Sequence, residues 1–433
     1  MPSCGCGWAL LLDVLLFLFL LHCVAVVAVS GDNTIAPHNG SAQRMDYFRN
    51  VQERSQGPIQ GVLSLIKEET GRQVLEEPLR PGELLMAAGR CYGDCFELER
   101  VGPESTGCPR SCRFLNQAAK EFREQAAGLY TWVEPVLRAR PGQLLFGYWQ
   151  ESPQNHKDVQ NESTMSLFNY SSSYRRDSDH VRGYDGLPGL YNIFYQMLAN
   201  GTAPDPLPYS VKKGADAIAT TMITNKRFEP NKRTPIIAAL EASGVSVLNY
   251  ASWTYKGPEI LGEDDNSDIA LMSRRFSIYQ KNNVLKFGSR RYSRKIAAIS
   301  RHLFHFAFEN SDCKDYHTEK ALHALLAGTV PVYLGHPSVR HFLPRGSYIA
   351  VRDFNSIGEL AAQLHRIANN QTLYEEYFEW RQRPMDEWVK AFAWRGSWEH
   401  VAHQYCKMCK LLHEPAPSTL RPDTDCLPPY PET

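Results

Sequence analysis

Apolar, strand-like segments alternate with helical segments through the second half of the 433-residue chain. Strands that alternate with helices of about ten residues imply a parallel sheet with right-handed crossovers. This alternation predicts an α/β fold for the second half of the chain. The strand-like segments are 217–225, 245–250, 302–308, 330–335 and 348–354, and the helical ones are 232–244, the stretch from Glu319, and 356–368.

A second core is predicted in the first half of the chain. The length exceeds the usual size of one domain, so two core-forming units are expected. Residues 84–88 and the cysteines that follow them open this unit. Strands are predicted at 143–149 and 165–174, and 114–136 has helical character. We therefore expect an N-terminal domain at 81–214, a second domain at 215–412 and a tail at 413–433.

The overall charge gives no indication of a nucleic-acid partner. The 47 Lys and Arg residues equal the 47 Asp and Glu residues, so no global field favours a polyanion. Hydrophobic content of 43% and charged content of 22% are ordinary for a globular protein.

The segment from Trp8 to Val29 is apolar except for Asp13 and His22, and it is long enough to span a bilayer as a helix. We expect residues 1–30 to be an uncleaved signal-anchor. The alternative is a removed signal peptide, because small residues precede Gly31. Residues 31–80 are polar and are expected to form a stem. Both alternatives place the rest of the chain in the secretory lumen.

Sequons and cysteines agree with that route. Five Asn-x-Ser/Thr sequons are glycosylation candidates, and the eight cysteines after the apolar segment suit disulfides in an oxidising compartment. The sequons begin at Asn39, Asn161, Asn169, Asn200 and Asn370, and the cysteines are Cys91, Cys95, Cys108, Cys112, Cys313, Cys406, Cys409 and Cys426.

Two groups of cysteines also fit other roles. The first four have a spacing that suits a four-thiolate zinc site. Cys406 and Cys409 form a Cys-x-x-Cys pair of the kind found in redox enzymes. We favour disulfides for the first group and a structural bridge for the pair, because no thioredoxin-like context surrounds it.

A dense polar turn separates two apolar segments between residues 306 and 335. A strand is expected to end at Phe308, and Thr318 is the expected N-cap of a helix that Gly328 terminates. The N–H groups and macrodipole of such a helix start suit a diphosphate. Lys320 would add a positive charge, while Glu319 could accept hydrogen bonds from sugar hydroxyls. The alternative is a capped surface helix with solvated charges.

Metal and common nucleotide motifs have little support. The chain has no Gly-x-Gly-x-x-Gly and no Gly-x4-Gly-Lys sequence. Asp177-Ser178-Asp179 matches the short Asp-x-Asp pattern that some transferases use for a metal, but Asp423-Thr424-Asp425 matches it too. We therefore predict no metal site.

The polar turn and its flanks carry a long ordered pattern, FENSxxxDYxTEKxxxAxxAGxVPVxLG. It resembles the donor-site signature of the α1,3/4-fucosyltransferase family. Three other blocks occur in the order of that family: WQESP with FNYSSSYRRDSD, MITN followed by Arg233, and the Cys406/Cys409 pair. The resemblance covers about residues 140–410.

This resemblance implies a GT-B fold, in which two Rossmann-like domains face each other across a cleft. It implies GDP-fucose as the donor and inversion at the anomeric carbon, without a metal or other cofactor. Glu151 occupies the position of the catalytic base, which must lie within hydrogen-bond reach of the acceptor. The implied donor-binding residues are Asn225, Arg233, Glu309, Asn310, Tyr316, Glu319 and Lys320.

The expected activity is transfer of L-fucose, in α1,3 linkage, to a GlcNAc of glycoproteins by a single-pass type II enzyme of the Golgi or endoplasmic reticulum membrane. Cys313, the segment PVYLGHPSVRHFLP and the DCLPPYP tail resemble the endoplasmic-reticulum branch that modifies protein hydroxyls. O-fucosylation of Ser or Thr in folded domains is therefore an alternative. A catalytically silent sugar-nucleotide or glycan-binding protein is another. The basic stretch at 255–300 is expected to be a surface insertion.

Overall fold

The described part of the chain forms two sheets with helices packed between and around their strands. The structure is a computed structural model, and every described residue belongs to one structural unit, Arg44–Thr433. The structure describes residues 79–89, 96, 99–116, 120–134, 141–184, 198, 203, 205–223, 225, 227–250, 289–383 and 398–431.

The first sheet has seven strands in the order β2-β3-β1-β4-β5-β6-β7. All neighbouring pairs are parallel except β2 with β3. The strands are β1 (Leu84–Ala88), β2 (Arg100–Val101), β3 (Cys112–Leu115), β4 (Gly128–Trp132), β5 (Leu144–Tyr148), β6 (Tyr170–Ser173) and β7 (His180–Val181).

The second sheet has five parallel strands in the order β12-β11-β10-β8-β9. Its central strand, β10, is buried at all five positions because helices cover both faces. The strands are β8 (Ala219–Thr221), β9 (Val247–Asn249), β10 (Phe304–Phe308), β11 (Val330–Leu334) and β12 (Ile349–Ala350).

Helices connect these strands. The α-helices are α1 (Pro103–Thr106), α2 (Lys120–Gln125), α3 (Glu162–Met165), α4 (Tyr209–Lys213), α5 (Arg233–Ala242), α6 (Ser289–Ser300), α7 (Glu319–Leu326), α8 (Ile357–Ala368), α9 (Gln371–Glu375) and α10 (Trp398–His413). Short 3-10 helices are found at Lys157–Gln160, Pro337–His341, Val351–Asp353 and Glu376–Gln382.

Strand order fixes where a ligand can bind. In the second sheet β8 lies between β9 and β10, so the crossover from β8 to β9 and the crossover from β10 to β11 run in opposite directions. A doubly wound sheet binds ligands at such a switch point, outside the carboxyl ends of the strands. The crevice at the ends of β8 and β10 is therefore the expected ligand site of this sheet.

Most sequence-predicted elements of the second half are confirmed. The strands β8 to β12 and the helices α5, α7 and α8 lie within the predicted segments. Gly328 has a φ of 63° directly after α7, and the Ser356 hydroxyl accepts a hydrogen bond from the Glu359 N–H at the start of α8. The predicted α/β fold with parallel sheets is therefore correct.

The predicted helical character of 114–136 is wrong for most of that segment. It contains the end of β3, the short helix α2 and the whole of β4. Strand β4 pairs with both β1 and β5, and a side chain at Gly128 would lie 2.6 Å from Leu412. Tertiary packing at the middle of the sheet outweighs the local helical pattern there. The segment 165–174 likewise begins with the end of α3, and only β6 is strand.

Disulfides join distant segments of the chain. Cys108 bonds to Cys406 and Cys112 bonds to Cys409, so both bridges attach α10 to the first sheet. The predicted bridge between Cys406 and Cys409 is therefore wrong, and Cys108 and Cys112 cannot serve as zinc thiolates. A third bridge, Cys313–Cys426, was predicted only as a disulfide of unknown pairing.

Although α10 falls within the predicted second domain, it packs on the first sheet. The domain boundaries stay a prediction.

Several sequence predictions concern residues outside the described part. These are the apolar segment at 8–29, the stem, the sequons at Asn39 and Asn200, Cys91 and Cys95, and the basic stretch up to residue 288. Within the described ranges, the helices are all too short or too polar to cross a membrane.

Lys212, in α4, is a fully buried cation without a carboxylate partner among its hydrogen bonds. Its ammonium donates to the carbonyl oxygens of Ser300 and His302 at 2.5 and 3.2 Å and to the Thr329 hydroxyl at 3.1 Å. Burial lowers the pKa of Lys212 to about 7. Unfolding returns that pKa to about 10.4, so the unfolded chain binds more protons between the two values and stability rises with pH there.

We expect Lys212→Met to remove this pH dependence. The free energy of unfolding of the wild type should rise by up to about 1.4 kcal/mol per pH unit between about pH 7 and pH 10, relative to the variant. Thermal unfolding across that range measures the difference. Lys213→Met, which changes the exposed neighbour in the same helix, should keep the wild-type pH dependence. Parallel curves for wild type and Lys212→Met would disprove the assignment.

Candidate active site

The polar turn at residues 309–318 connects β10 to the N-terminus of α7. The Glu309 carboxylate is fully buried and accepts hydrogen bonds from the Thr318 N–H at 2.9 Å and the Thr318 hydroxyl at 2.8 Å. Thr318 is the N-cap residue as predicted, but its own side chain does not cap the helix. Glu309 instead closes the turn by supplying the negative charge that a helix N-terminus favours.

Lys320 lies in the first turn of α7 and points back to the same carboxylate. Its ammonium donates to Glu309 at 3.0 Å and to the Thr318 hydroxyl at 2.7 Å. Burial favours the neutral amine, but Glu309 and Glu319 outweigh burial and raise the pKa of Lys320. The side chain is 24% exposed, so a charged ammonium is held in place and remains accessible to an anion.

Glu319 pairs with a lysine that the sequence analysis missed. Lys295, in α6, places its ammonium 3.6 Å from the Glu319 carboxylate. Burial opposes ionisation of Glu319, but Lys320 and Lys295 outweigh it and hold the pKa of Glu319 well below its usual range. The stretch 255–300 is basic, but no spacing in the sequence indicates which of its cations reaches α7.

Arg233 begins α5 and ties the loop after β8 to the end of β10. Its guanidinium donates to the Phe308 carbonyl at 3.3 Å, the Asn225 carbonyl at 2.8 Å and the Glu229 carboxylate at 3.2 Å. Only 5% of its side chain is exposed. Asn225 is exposed, and its side-chain oxygen accepts from the Arg227 N–H. Both residues therefore lie at the switch point, where doubly wound sheets bind ligands.

The charges at this switch point are paired. Arg233, Lys320 and Lys295 each contact a carboxylate, namely those of Glu229, Glu309 and Glu319. Arg233 and Lys320 lie beside the end of β10, and Lys295 lies against the first residue of α7. An incoming diphosphate would meet three positioned cations and the helix N-terminus.

Glu151 follows β5 in the first sheet and receives three hydrogen bonds. Asn155 and Tyr316 donate to its Oε2 at 2.9 and 3.1 Å, and Tyr184 donates to its Oε1 at 3.1 Å. A carboxylate oxygen has two lone pairs. Among the described residues, Oε2 receives two donors and Oε1 one, so Oε1 keeps the remaining accepting position.

The loop of Glu151 lies directly against the polar turn. Ser152 and Ser311 are both fully buried and their hydroxyls are 2.7 Å apart. The Ser311 hydroxyl also donates to the side-chain oxygen of half-buried Asn310 at 3.0 Å. The structure thus brings the predicted base of one sheet together with the predicted donor residues of the other.

Tyr184 and Tyr316 hold the Glu151 carboxylate between them. Their rings make an edge contact with a centroid distance of 5.9 Å. Burial is the largest cause that raises the pKa of each phenol, and the negative charge of Glu151 raises it further. Both hydroxyls therefore stay protonated and donate. The family resemblance assigned Tyr316 to the donor, whereas no motif contains Tyr184, which lies 33 residues from Glu151.

The two Asp-x-Asp sequences are occupied by protein partners. Asp177 pairs with Arg175 and Lys314, and the buried Asp179 carboxylate accepts from Ser171 and Ser418. Asp423 pairs with Arg175 as well. These carboxylates hold segments of the chain together, which is a structural role for a pattern that is shared with metal-binding transferases.

Comparison with known proteins supports the resemblance carried by the polar turn. Residues 273–423 match the family model described as glycosyltransferase family 10 (fucosyltransferase), C-term. The mouse protein named 4-galactosyl-N-acetylglucosaminide 3-alpha-L-fucosyltransferase 9 is 47% identical over 89 residues, which are 20% of this chain and 25% of that protein. Alpha-(1,3)-fucosyltransferase fut-1 of Caenorhabditis elegans is 36% identical over 127 residues, 28% of each chain.

The matched region spans about a quarter of the length of these curated relatives. A solved structure titled alpha1,3-fucosyltransferase with GDP-fucose is 13% identical, with a TM-score of 0.44, and the alignment covers 80% of this chain and 95% of that one. The predicted family resemblance is confirmed for residues 273–423, which include the polar turn.

We expect Glu309→Gln to destabilise the protein, because it removes the charge that closes the turn and pairs with Lys320. Hydrogen bonds to charged groups contribute about 1.5–3 kcal/mol each, so a fall in Tm of roughly 4–8 °C is expected. Differential scanning calorimetry measures it. Glu359→Gln changes an exposed glutamate at the start of α8 and should lower Tm by less than about 2 °C. Equal shifts for the two variants would contradict this role of Glu309.

Proposed function

We propose that this chain, which carries a glycosyltransferase family 10 C-terminal domain at residues 273–423, is an inverting fucosyltransferase. It would transfer L-fucose from GDP-β-L-fucose, in α1,3 linkage, to a GlcNAc of a glycoprotein glycan. The observation that carries the proposal is the hydrogen bond between Tyr316 of the polar turn and Glu151, at 3.1 Å. It places a carboxylate of the first sheet beside the helix N-terminus and cations that suit a diphosphate.

In the proposed reaction, the acceptor hydroxyl attacks the anomeric carbon of fucose while the bond from that carbon to the diphosphate breaks. Glu151 takes the hydroxyl proton, and GDP leaves with the bonding electron pair. The accepting position on Oε1 is the one that the acceptor hydroxyl would use. Because the attack comes from the face opposite the diphosphate, the anomeric configuration inverts.

The leaving diphosphate gains negative charge, which the cations of the switch point would offset. Lys320 is charged, oriented by Glu309 and partly exposed, so it can contact a phosphate without rearrangement of the turn. Arg233 is more enclosed and would exchange Glu229 for a phosphate oxygen. Positioned charges of this kind stabilise a transition state because they need no reorganisation during the reaction. Donor roles for Asn225, Asn310 and Glu319 are part of the same proposal.

The GT-B arrangement and the cellular location belong to this proposal as well. Two parallel sheets contribute residues to one site, as expected for two Rossmann-like domains that face a common cleft. The disulfides agree with an oxidising compartment. We propose a type II enzyme anchored in the Golgi or endoplasmic reticulum membrane by residues 1–30.

A second acceptor class has a specific observation in its favour. Two of the sequence features that resemble the protein O-fucosyltransferase branch, Cys313 and the DCLPPYP tail, are joined by the Cys313–Cys426 disulfide. Transfer to Ser or Thr of a folded domain is therefore the second candidate.

The two acceptor classes are distinguished by incubation with GDP-fucose and parallel panels of N-glycan and folded-domain acceptors, followed by mass spectrometry. Measurable GDP-fucose binding with fucose on neither panel would instead indicate a silent binding protein.

We expect Glu151→Gln to abolish transfer, because the amide cannot accept the acceptor proton. The Kd for GDP should stay within about twofold of the wild type, since Glu151 does not belong to the polar turn and cations that are proposed to bind the diphosphate. Transfer assays and isothermal titration calorimetry measure the two quantities. Substantial turnover by this variant would remove Glu151 as the base.

We expect Tyr184→Phe to lower kcat by roughly tenfold while the KM for GDP-fucose stays unchanged. The change removes the one described donor to Oε1 and leaves the carboxylate less well oriented. Steady-state kinetics at saturating acceptor separate the two constants. Tyr374→Phe is the matched control, because Tyr374 is a buried tyrosine of α9 whose hydroxyl has no hydrogen-bond partner among the described residues. If the two variants had the same kcat, Tyr184 would have no positioning role.

A further inference from the structure

The residues 416–430, which we call the C-terminal strap, begin on the first sheet. The Tyr170 hydroxyl of β6 donates to the Ala416 carbonyl and accepts from the Ala416 N–H, both at 3.1 Å. Ser418 and Thr419 then donate to the buried Asp179 carboxylate at 2.7 and 3.1 Å. The first part of the strap is therefore fixed to the sheet that carries Glu151.

The strap ends on the side of the second sheet. Its Asp425 carbonyl accepts from the Lys314 N–H at 2.7 Å, and its Leu427 N–H donates to the Asp312 carbonyl at 2.9 Å. Between these two hydrogen bonds, Cys426 is bonded to Cys313 of the polar turn. The Tyr430 hydroxyl donates to the Phe354 carbonyl at 2.7 Å. The strap thus pairs with the polar turn and extends the contact to the second sheet.

A buried ion-pair group holds the middle of the strap. Arg175, which follows β6, donates to both Asp423 and Asp425 of the strap and to Asp177. Burial disfavours the Arg175 cation, but its hydrogen bonds to Asp177 and the charge of Asp423 outweigh burial and raise its pKa. Asp177 in turn accepts from Lys314 of the polar turn at 3.1 Å. One group of charges therefore connects the first sheet, the strap and the turn.

The polar turn depends on such outside contacts because it has no regular secondary structure between β10 and α7. Asp315 adopts a φ of 62°, in the left-handed region that a non-glycine residue occupies only when its surroundings hold it there. The next residue, Tyr316, donates its N–H to the Cys313 carbonyl at 3.0 Å and its hydroxyl to Glu151. Displacement of Cys313 would therefore displace the residue that contacts the base.

We propose that the C-terminal strap is a positioning element of the donor site, in which the Cys313–Cys426 disulfide and the Arg175 ion pairs hold the polar turn in its donor-binding form and in register with Glu151. This inference rests on the proposed function. Cys313, Cys426, Asp423 and Asp425 act through Tyr316 and the end of β10 and do not touch the donor. Loss of the strap contacts should consequently weaken donor binding before it unfolds either sheet.

The test is a comparison of two paired substitutions in the full-length chain. Cys313→Ser with Cys426→Ser removes the strap disulfide without leaving a free thiol. We expect it to raise the KM for GDP-fucose and the Kd for GDP about tenfold, which corresponds to roughly 1.4 kcal/mol of binding free energy. Cys108→Ser with Cys406→Ser removes a different long-range disulfide, which joins α10 to the first sheet. This control should lower Tm but leave the KM for GDP-fucose and the Kd for GDP at their wild-type values.

A second strap variant keeps the inference testable if the Cys313→Ser/Cys426→Ser variant misfolds. Asp423→Asn with Asp425→Asn keeps every disulfide and changes side-chain volume very little. It removes the two carboxylate charges of the strap that face Arg175 and leaves that of Asp177. We expect a threefold to tenfold rise in the same two constants, or roughly 0.7–1.4 kcal/mol of binding free energy. Restoring the single Asp423 carboxylate should recover part of the affinity.

The outcomes separate this inference from the proposed function. If the wild type transfers fucose and both strap variants keep donor constants within about twofold of it, the strap is only structural and the inference is wrong. An equal loss of affinity in the Cys108/Cys406 control would also overturn it, because general destabilisation would then explain the effect. If the wild type binds GDP but transfers no fucose, the proposed function fails, and the Kd for GDP still decides the role of the strap.

Discussion

The buried Glu309 carboxylate determines how the chain leaves β10. An ionised carboxylate costs several kcal/mol to bury unless charges and hydrogen bonds compensate it. Its compensation comes from Thr318 and Lys320, nine and eleven residues further along the chain. The intervening residues must therefore form a closed turn that returns to the end of the strand. That constraint places the start of α7 beside the crevice where a doubly wound sheet binds its ligand.

Closing the turn does not by itself fix the residues inside it. Asp312 is held by Arg352 and Asn231, Asp315 by Arg176, and Tyr316 by Glu151. Each partner belongs to a different element, and two of them lie in the first half of the chain. The conformation of the turn consequently depends on its contacts with both sheets and with the strap. These contacts explain a polar segment between a core strand and a core helix, since Asp312, Asp315 and Tyr316 each find a partner outside the turn.

The predictable parts of the fold were those with local causes. Strand β10, the helix start at Thr318, its end at Gly328 and the Ser356 cap follow from apolar runs and capping residues that lie within a few positions of each other. The ordered pattern of the polar turn is local too, and the resemblance that it carries was confirmed for residues 273–423. The predicted base and donor residues were also brought together, because the carboxyl ends of strands from both sheets meet at the site.

The unpredicted parts depend on long-range contacts. Cys108 and Cys112 pair with cysteines almost 300 residues away, and sequence spacing cannot distinguish that from a local bridge. Tyr184 and Lys295 reach Glu151 and Glu319 from other elements, so no motif contains them. Strand β4 was not predicted because helix-favouring residues precede it. Its pairing with β1 and β5 determines its conformation instead.

Tyr316 connects the turn that is proposed to bind the donor with the carboxylate that is proposed to act as the base. It belongs to the turn that is proposed to bind the donor, yet its hydroxyl donates to Oε2 of Glu151. With Asn155 on the same oxygen and Tyr184 on Oε1, the carboxylate can rotate only if at least one of these hydrogen bonds breaks. The oxygen with the remaining lone pair is therefore presented in a fixed direction. A turn distorted by loss of donor-side contacts would misdirect that oxygen, so a change confined to one sheet would reduce catalysis at a base carried by the other.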